Sequence, residues 1–433
     1  MKKFLSKRII SIVGLSLMCA TAAEATPAFA RQMDMECMSC HFQTIPKLNS
    51  FGREFKMSGF TMTSGKKEIK SELNGGLALP EHLGFGFVLK ARIHDTKVGN
   101  PAVTDDHTTF SEIFDESALL FGGKISDNIG ASFELANGAN DISVTDENGV
   151  VTGVDNEGSG AGISGKLTFA KSYSFGRLGA TAFNTDSLGV FSGTEIYSTG
   201  LYRPIRQFEN RKKTNIFQKN GIGDGSASGV QVYYSGHGLY ATAGQYVPGY
   251  GQSIDVSIEG YKDFARAAYQ FGVANFTVAA GGFYIGGDII GVTQNAADIV
   301  WTTAADSFDR KANGLDMQVE GSISNMSLMI TGAALLNNKY SPSGSKSAAK
   351  EDRTGFSFDA QLNPVSDIGV KVAYLSHEDK RVKTKDESII SLGAEYNVAQ
   401  NVRLCLEYSN IDYPNNSAKK TDSDLLLMAM VAF

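Results

Sequence analysis

The chain has 433 residues but only four cysteines, one tryptophan and nine prolines, and no long apolar run beyond its first thirty residues. So few cysteines exclude a disulfide framework: three remain once an N-terminal leader is removed, two of them close together and Cys405 alone. A membrane helix needs roughly 18 uninterrupted apolar residues, so a membrane crossing by the rest of the chain would have to use strands. A basic surplus is missing as well, with 40 Lys and Arg against 46 Asp and Glu. That balance excludes nucleic acid as an expected partner.

What is present begins with a leader. Lys2, Lys3, Lys7 and Arg8 form a charged start, Ile9 to Met18 an apolar stretch, and Ala28-Phe29-Ala30 a small-x-small cleavage signature. The expected signal peptide is therefore 1–30, with the mature chain starting at Arg31. Cys19 follows Met18, where lipid modification needs a small residue, so no lipoprotein is expected. Cleavage removes four basic residues and one acidic one, leaving 36 basic against 45 acidic.

Composition changes near residue 75. The stretch from Arg31 to Lys70 is rich in Met, Phe and charge, whereas everything after Gly75 is Gly-rich and alternating. This predicts a small domain over 31–75 and a second over 76–433. Leu83, Phe85, Phe87, Leu89, Ala91 and Ile93 alternate with Gly84, Gly86, Val88, Lys90, Arg92 and His94. A period of two is expected where one strand face meets lipid and the other a polar interior. The rhythm recurs to the C-terminus, interrupted by short turns such as 235–238 and 324–325 and by long polar loops that alternate with them. Eight long loops and seven short turns predict a sixteen-stranded antiparallel transmembrane β-barrel with both ends on the short-turn side, which in bacterial barrels is the periplasm. Glu195 to Tyr202 is assigned to the third long loop, and the terminal Phe433 suits an outer-membrane barrel. Lys90, Arg92, His94, Glu134, Arg403 and Glu407 are expected to face the lumen, where they would hold a plug or simply wet the interior. Cys405 is placed on the same face with no role.

Cys37-Met38-Ser39-Cys40-His41 has the C-x-x-C-H spacing that attaches one c-type haem: both thiols bond to the porphyrin and the adjacent imidazole binds iron. A thioredoxin-like pair would need a βαβ setting, and a zinc site a second pair of ligands. Downstream, one helix is predicted over 46–60, with Leu48, Phe51 and Phe55 on the face that covers the haem. Gly52 weakens such a helix by about 1 kcal/mol relative to Ala, which asks for a close backbone approach, for instance to the porphyrin. Arg53 either neutralises a haem propionate or is an ordinary helix charge. For the second axial ligand Met62 is the first choice, because it follows the Gly59 stop and can fold back, with Met57 second and His82 third; Met33 is also within reach. About 45 residues are too few to hold a fold on an apolar core alone, so haem and barrel wall are expected to complete it. A lumen of sixteen strands has room for such a plug.

The run from Ala25 through Gln32 into Cys37 to His41, followed by Pro46, Leu48, Gly52-Arg53, Phe55-Lys56 and Gly59-Phe60, resembles the fused monohaem cytochrome and porin family, the outer-membrane iron oxidases of iron-oxidising bacteria. The likeness covers roughly the first 60 residues; over the barrel it is one of architecture and length. Met33-Asp34 and Phe60 depart from the family pattern. The resemblance implies oxidation of extracellular Fe(II), with the electron passed through one haem to a periplasmic c-type cytochrome. The same architecture would serve another external donor or acceptor, such as a mineral or an electrode, or a diffusion porin with a structural haem plug. Asp105, Asp106, Asp146, Glu147, Asp155 and Glu157 on the long loops are candidates for attracting ferrous ion, or are acidic because outer loops are wet.

Overall fold

The computed structural model describes residues 27–433 apart from 43, 66–67, 71–77, 81–83, 99–106, 138–143, 146–150, 154–160, 186–207, 221, 223–226, 249–261, 291–292, 296–297, 301–306, 341–350, 400 and 417–420. His82, the stretch Glu195 to Tyr202 and all six acidic loop candidates lie outside the described residues.

The alternating segments form a closed antiparallel barrel of sixteen strands. The first eight are β1 (Phe85–Lys97), β2 (His107–Ser126), β3 (Ile129–Asn137), β4 (Ala161–Tyr173), β5 (Gly176–Thr185), β6 (Ala227–Gly236), β7 (Leu239–Pro248) and β8 (Lys262–Val273). The second eight are β9 (Phe276–Gly286), β10 (Ser307–Ile323), β11 (Met326–Tyr340), β12 (Glu351–Val365), β13 (Ile368–Asp379), β14 (Glu387–Ala399), β15 (Val402–Asp412) and β16 (Asp422–Ala432). A short extension of β9, Asp288–Ile290, continues its pairing with β10. β16 pairs with β1 in a register that sets Ala429 opposite Ala91, which closes the sheet on itself. Closure satisfies every strand edge, the requirement for a sheet in lipid. Phe433 completes the seam: its backbone exchanges two hydrogen bonds with Phe87, and the two rings stack at 5.2 Å.

Strand alternation sorts the side chains as expected. Along β8, Lys262, Phe264, Arg266 and Ala268 are buried toward the interior, while Tyr269, Phe271 and Val273 are exposed on the outer surface. Leu315, Met317, Leu406, Tyr408, Leu425 and Leu427 form part of the same outward apolar surface, which suits contact with outer-membrane lipid. Turn chemistry fixes the register. Ser324 and Asn325 have φ of 47° and 69°, and His237 and Gly238 have 51° and 81°. Positive φ at both central residues defines the hairpin turn whose twist matches that of the strands.

The long loop between β5 and β6 folds inward. Its described part carries Phe208 to Asn210 and two one-turn helices, α4 (Arg211–Thr214) and α5 (Ile216–Lys219). Asn215 caps α5 by accepting from the backbone N–H of Phe217 and Gln218. Ile216, Phe217 and Ile222 then pack into an apolar layer with wall residues drawn from β5 through β15, among them Phe183, Tyr246, Phe264, Phe283, Leu335, Leu375 and Ile411. The layer occupies the long-loop half of the lumen. Just before it, Glu209 lies within 3.5 Å of both Lys90 and Arg92 and 4.0 Å of Arg403. The Glu407 carboxylate accepts from the backbone N–H of Glu209 and Asn210 at 2.8 and 3.1 Å and pairs with Lys371 at 2.9 Å. Asp424 receives Asn210 and Lys213, and His94 stands 4.0 Å from it. Thus Lys90, Arg92, Arg403 and Glu407 do face the lumen, where they clamp the third loop. Cys405 faces the lumen as well, between Lys371 and Glu407, each at 3.2 Å from its sulfur.

Candidate functional site

The N-terminal segment lies against the short-turn half of the wall. Its helices are α1 (Pro27–Met33), α2 (Cys37–Cys40) and α3 (Ser50–Met57). The helix predicted over 46–60 is shorter than expected, because Thr44–Leu48 is extended and pairs with His41–Phe42. Asn49 sets the start of α3: its side-chain oxygen accepts from the Gly52 N–H at 2.9 Å, and its amide donates to the Ser39 carbonyl at 3.0 Å. One residue therefore caps α3 and ties it to the C-x-x-C turn. Ser58 and Gly59 end the helix, with Gly59 at φ 69°.

Cys37 and Cys40 occupy the first and last positions of a single helical turn, so both thiols stand on one side of it. His41 follows as the C-cap and donates its backbone N–H to the Cys37 carbonyl. Cys37 is buried against Val88 of β1 and Ala432 of β16, and Cys40 and His41 are half-buried. Burial and the neighbouring Cys37 push the Cys40 thiol up to about 11. Two thiols on one turn followed directly by an imidazole are, chemically, the donor set that holds haem c.

Apolar residues gather beside this turn. Met33, Phe55 and Phe60 are buried together, with Phe29, Phe51 and Met62 packed on them. Phe55 and Phe51 lie where the helical projection puts them, and Met62 does fold back onto their cluster. Met57 points the other way, against Tyr233, Tyr240 and Ala170 of the wall, and the Tyr233 hydroxyl donates to its carbonyl at 2.8 Å. Gln32 secures the return of the chain by donating to the Phe60 and Met62 carbonyls at 2.8 and 2.7 Å and accepting from the Lys124 N–H of the wall at 3.1 Å.

Gly52 has a different close neighbour from the one expected. A Cβ there would run into the Cys40 carbonyl oxygen and come within 2.9 Å of Leu48 Cδ2. The missing side chain lets α3 press on the C-x-x-C turn, so Gly52→Ala should push the two apart. We expect this single methyl group to cost about 1–3 kcal/mol as an overpacked contact and to loosen α3 against the turn, measured as faster hydrogen exchange over residues 37–57; unchanged exchange would contradict the contact.

Arg53 also finds another partner. Its side chain is fully buried and all five N–H groups are used: Nε and Nη2 donate to Gln270 Oε1 at 3.0 and 2.8 Å, and Nη1 to the Leu48 carbonyl at 2.9 Å. The remaining two reach the Glu320 carboxylate, Nη2 to Oε1 at 2.6 Å and Nη1 to Oε2 at 3.2 Å. Gln270 belongs to β8 and Glu320 to β10, so Arg53 bolts α3 to the wall. Arg177 adds a second bond, at 2.8 Å from Glu54. The sequence offered no way to pair Arg53 with Glu320, which lies 267 residues further on.

No family model matches the chain, and no curated protein does. Among solved structures the barrel is similar to the anion-selective porin from Comamonas acidovorans, at 12% identity over 81% of this chain and 98% of that one, with a TM-score of 0.47. It is similar also to the outer membrane channel DcaP of Acinetobacter baumannii, at 12% identity over 81% and 96% with a TM-score of 0.46. OmpT of Vibrio cholerae gives 13% identity over 85% and 100% with a TM-score of 0.44. The class rests on the chain's own topology: a closed antiparallel transmembrane β-barrel of sixteen strands with an apolar outer surface. This barrel carries an N-terminal C-x-x-C-H segment bolted to its wall through Arg53 and Glu320.

Proposed function

We propose that this protein carries electrons across the outer membrane, taking them singly from extracellular Fe(II), or from another external donor, and delivering them to a periplasmic c-type cytochrome. The observation that carries this reading is the Cys37 to His41 turn on a segment whose Arg53 is buried against the lumen wall. Cys37 and Cys40 would hold one covalent haem c, with His41 and Met62 to ligate its iron, and that group would supply a one-electron couple when bound. Met33, Phe55 and Phe60 keep water from the site. Arg53 and Glu54 fix the segment to the wall. One redox group cannot relay charge over roughly 30 Å of hydrocarbon. Seated in the lumen, however, it can be approached by a donor from the loop end and an acceptor from the turn end.

The barrel architecture favours a second reading, a diffusion porin with the N-terminal segment as its plug. In that reading the inward third loop, with Ile216 and Phe217 fully buried in the apolar layer, narrows the lumen and the N-terminal segment lies beyond it. Liposomes carrying the purified protein and entrapped oxidised cytochrome separate the two. External Fe(II), added without oxygen, should reduce the entrapped cytochrome while small entrapped solutes stay inside. Solute leakage without reduction would establish the porin reading instead.

The distal ligand has its own test. A methionine ligand raises the haem potential, so Met62→Ala should lower the midpoint in a redox titration, whereas Met57→Ala, which touches only the wall, should leave it near the wild-type value. A midpoint insensitive to Met62→Ala rejects Met62.

A further inference from the structure

We infer that the leader is cut after Ala25 and not after Ala30, so that the mature chain begins at Thr26 and keeps Pro27 to Ala30 as part of the plug. Ala20-Thr21-Ala22, Ala23-Glu24-Ala25 and Ala28-Phe29-Ala30 all have the small-x-small pattern; Ala25 is the last of these ends that leaves α1 whole, and the sequence alone does not decide against Ala30. The packing does. Cleavage after Ala30 would divide α1 (Pro27–Met33) and remove four of its seven residues. Proline at the first position of a helix is a preferred start, since its missing N–H is one the helix leaves unbonded anyway.

The residues at stake have neighbours that fit them. Ala28 is fully buried. The Phe29 ring stacks on Phe60 at 5.1 Å and 6°, and meets Phe55 edge-on at 5.1 Å. Phe60 itself has φ of 63°, a conformation rare for a bulky residue, and its buried ring has Phe29 as its stacked neighbour. On the other side the wall makes room: a Cβ at Gly122 of β2 would lie 2.6 Å from Phe29 Cζ. Ala30 accepts a hydrogen bond from the Met35 N–H at 3.1 Å, which shapes the approach to Cys37, and Arg31 donates to the Phe85 carbonyl at 2.8 Å. A chain starting at Arg31 would leave an empty space beside Phe55 and Phe60, next to the haem-attachment turn. The step itself is hydrolysis of the Ala25–Thr26 peptide bond: one water adds, the leader leaves with a new carboxylate on Ala25, and Thr26 gains a free amine.

The test is independent of haem and of electron transfer. Protein purified from the cell envelope is digested and its N-terminal peptide sequenced by mass spectrometry. The expected first residue is Thr26; a start at Arg31, or at any residue after Thr26, overturns the inference. Phe29→Ala supplies a second readout on the full-length mature chain. If Phe29 is retained, the mature variant is lighter than wild type by the difference between Phe and Ala. If Phe29 leaves with the leader, the two mature proteins have the same mass.

Discussion

Replacing Cys37 and Cys40 together by alanine should yield an outer-membrane barrel of normal abundance that carries no covalently bound haem, and His41→Ala should remove the normal haem spectrum while the thiols remain. The barrel is expected to survive because its sixteen strands close without help from the N-terminal segment: β16 pairs directly with β1, and Phe433 bonds to Phe87. The segment has no such independence. Its apolar cluster is small, with Met33, Phe55 and Phe60 as its buried members, and domains of this size usually need a covalent or metal staple. Loss of haem should therefore also loosen residues 50–62 relative to the wall, which limited proteolysis detects. A double cysteine variant that keeps haem through denaturation would remove the basis for the proposed function.

The second large effect is expected at the Arg53 and Glu320 pair. Both side chains are nearly inaccessible, and the pair is bidentate at 2.6 and 3.2 Å. Removing one member of a buried pair leaves an uncompensated charge and costs about 3–5 kcal/mol. Exchanging both for apolar groups of similar volume costs far less, because neither charge then has to be desolvated. Arg53→Leu and Glu320→Leu should each release α3 from the wall, seen as faster hydrogen exchange over residues 50–60, and the double variant should recover most of the protection. Single and double variants with equal exchange would show that the pair does not hold the segment in place.

Much of this arrangement was legible in the sequence, and the portions that were not share a physical cause. The period of two along Phe85 to His94, the turns at Ser324-Asn325 and His237-Gly238, and the terminal Phe433 are local signals, and the barrel follows them. Cys37, Cys40 and His41 are equally local. The helical pattern shows the helix around Phe51 and Phe55 but runs on from Pro46, whereas Asn49 as a cap starts it later. Contacts between distant residues were not visible. Gly52 announced a close approach without naming the Cys40 carbonyl, and Arg53 announced a charge without naming Glu320. The inward third loop was hidden by its polar composition, although Ile216, Phe217 and Ile222 behind a capping Asn215 were a usable signal. Lys90, Arg92, Arg403 and Glu407 were assigned to the lumen correctly, yet the choice between plug and loop depended on Glu209 and Asn210, which the pattern of strands does not locate.

The proposed function requires one haem bonded to the polypeptide through Cys37 and Cys40 of the barrel protein. Its most direct test is the intact mass of protein extracted from the envelope with detergent and then fully denatured. The expected mass is that of the mature chain plus one haem. A mass equal to the bare chain would contradict it.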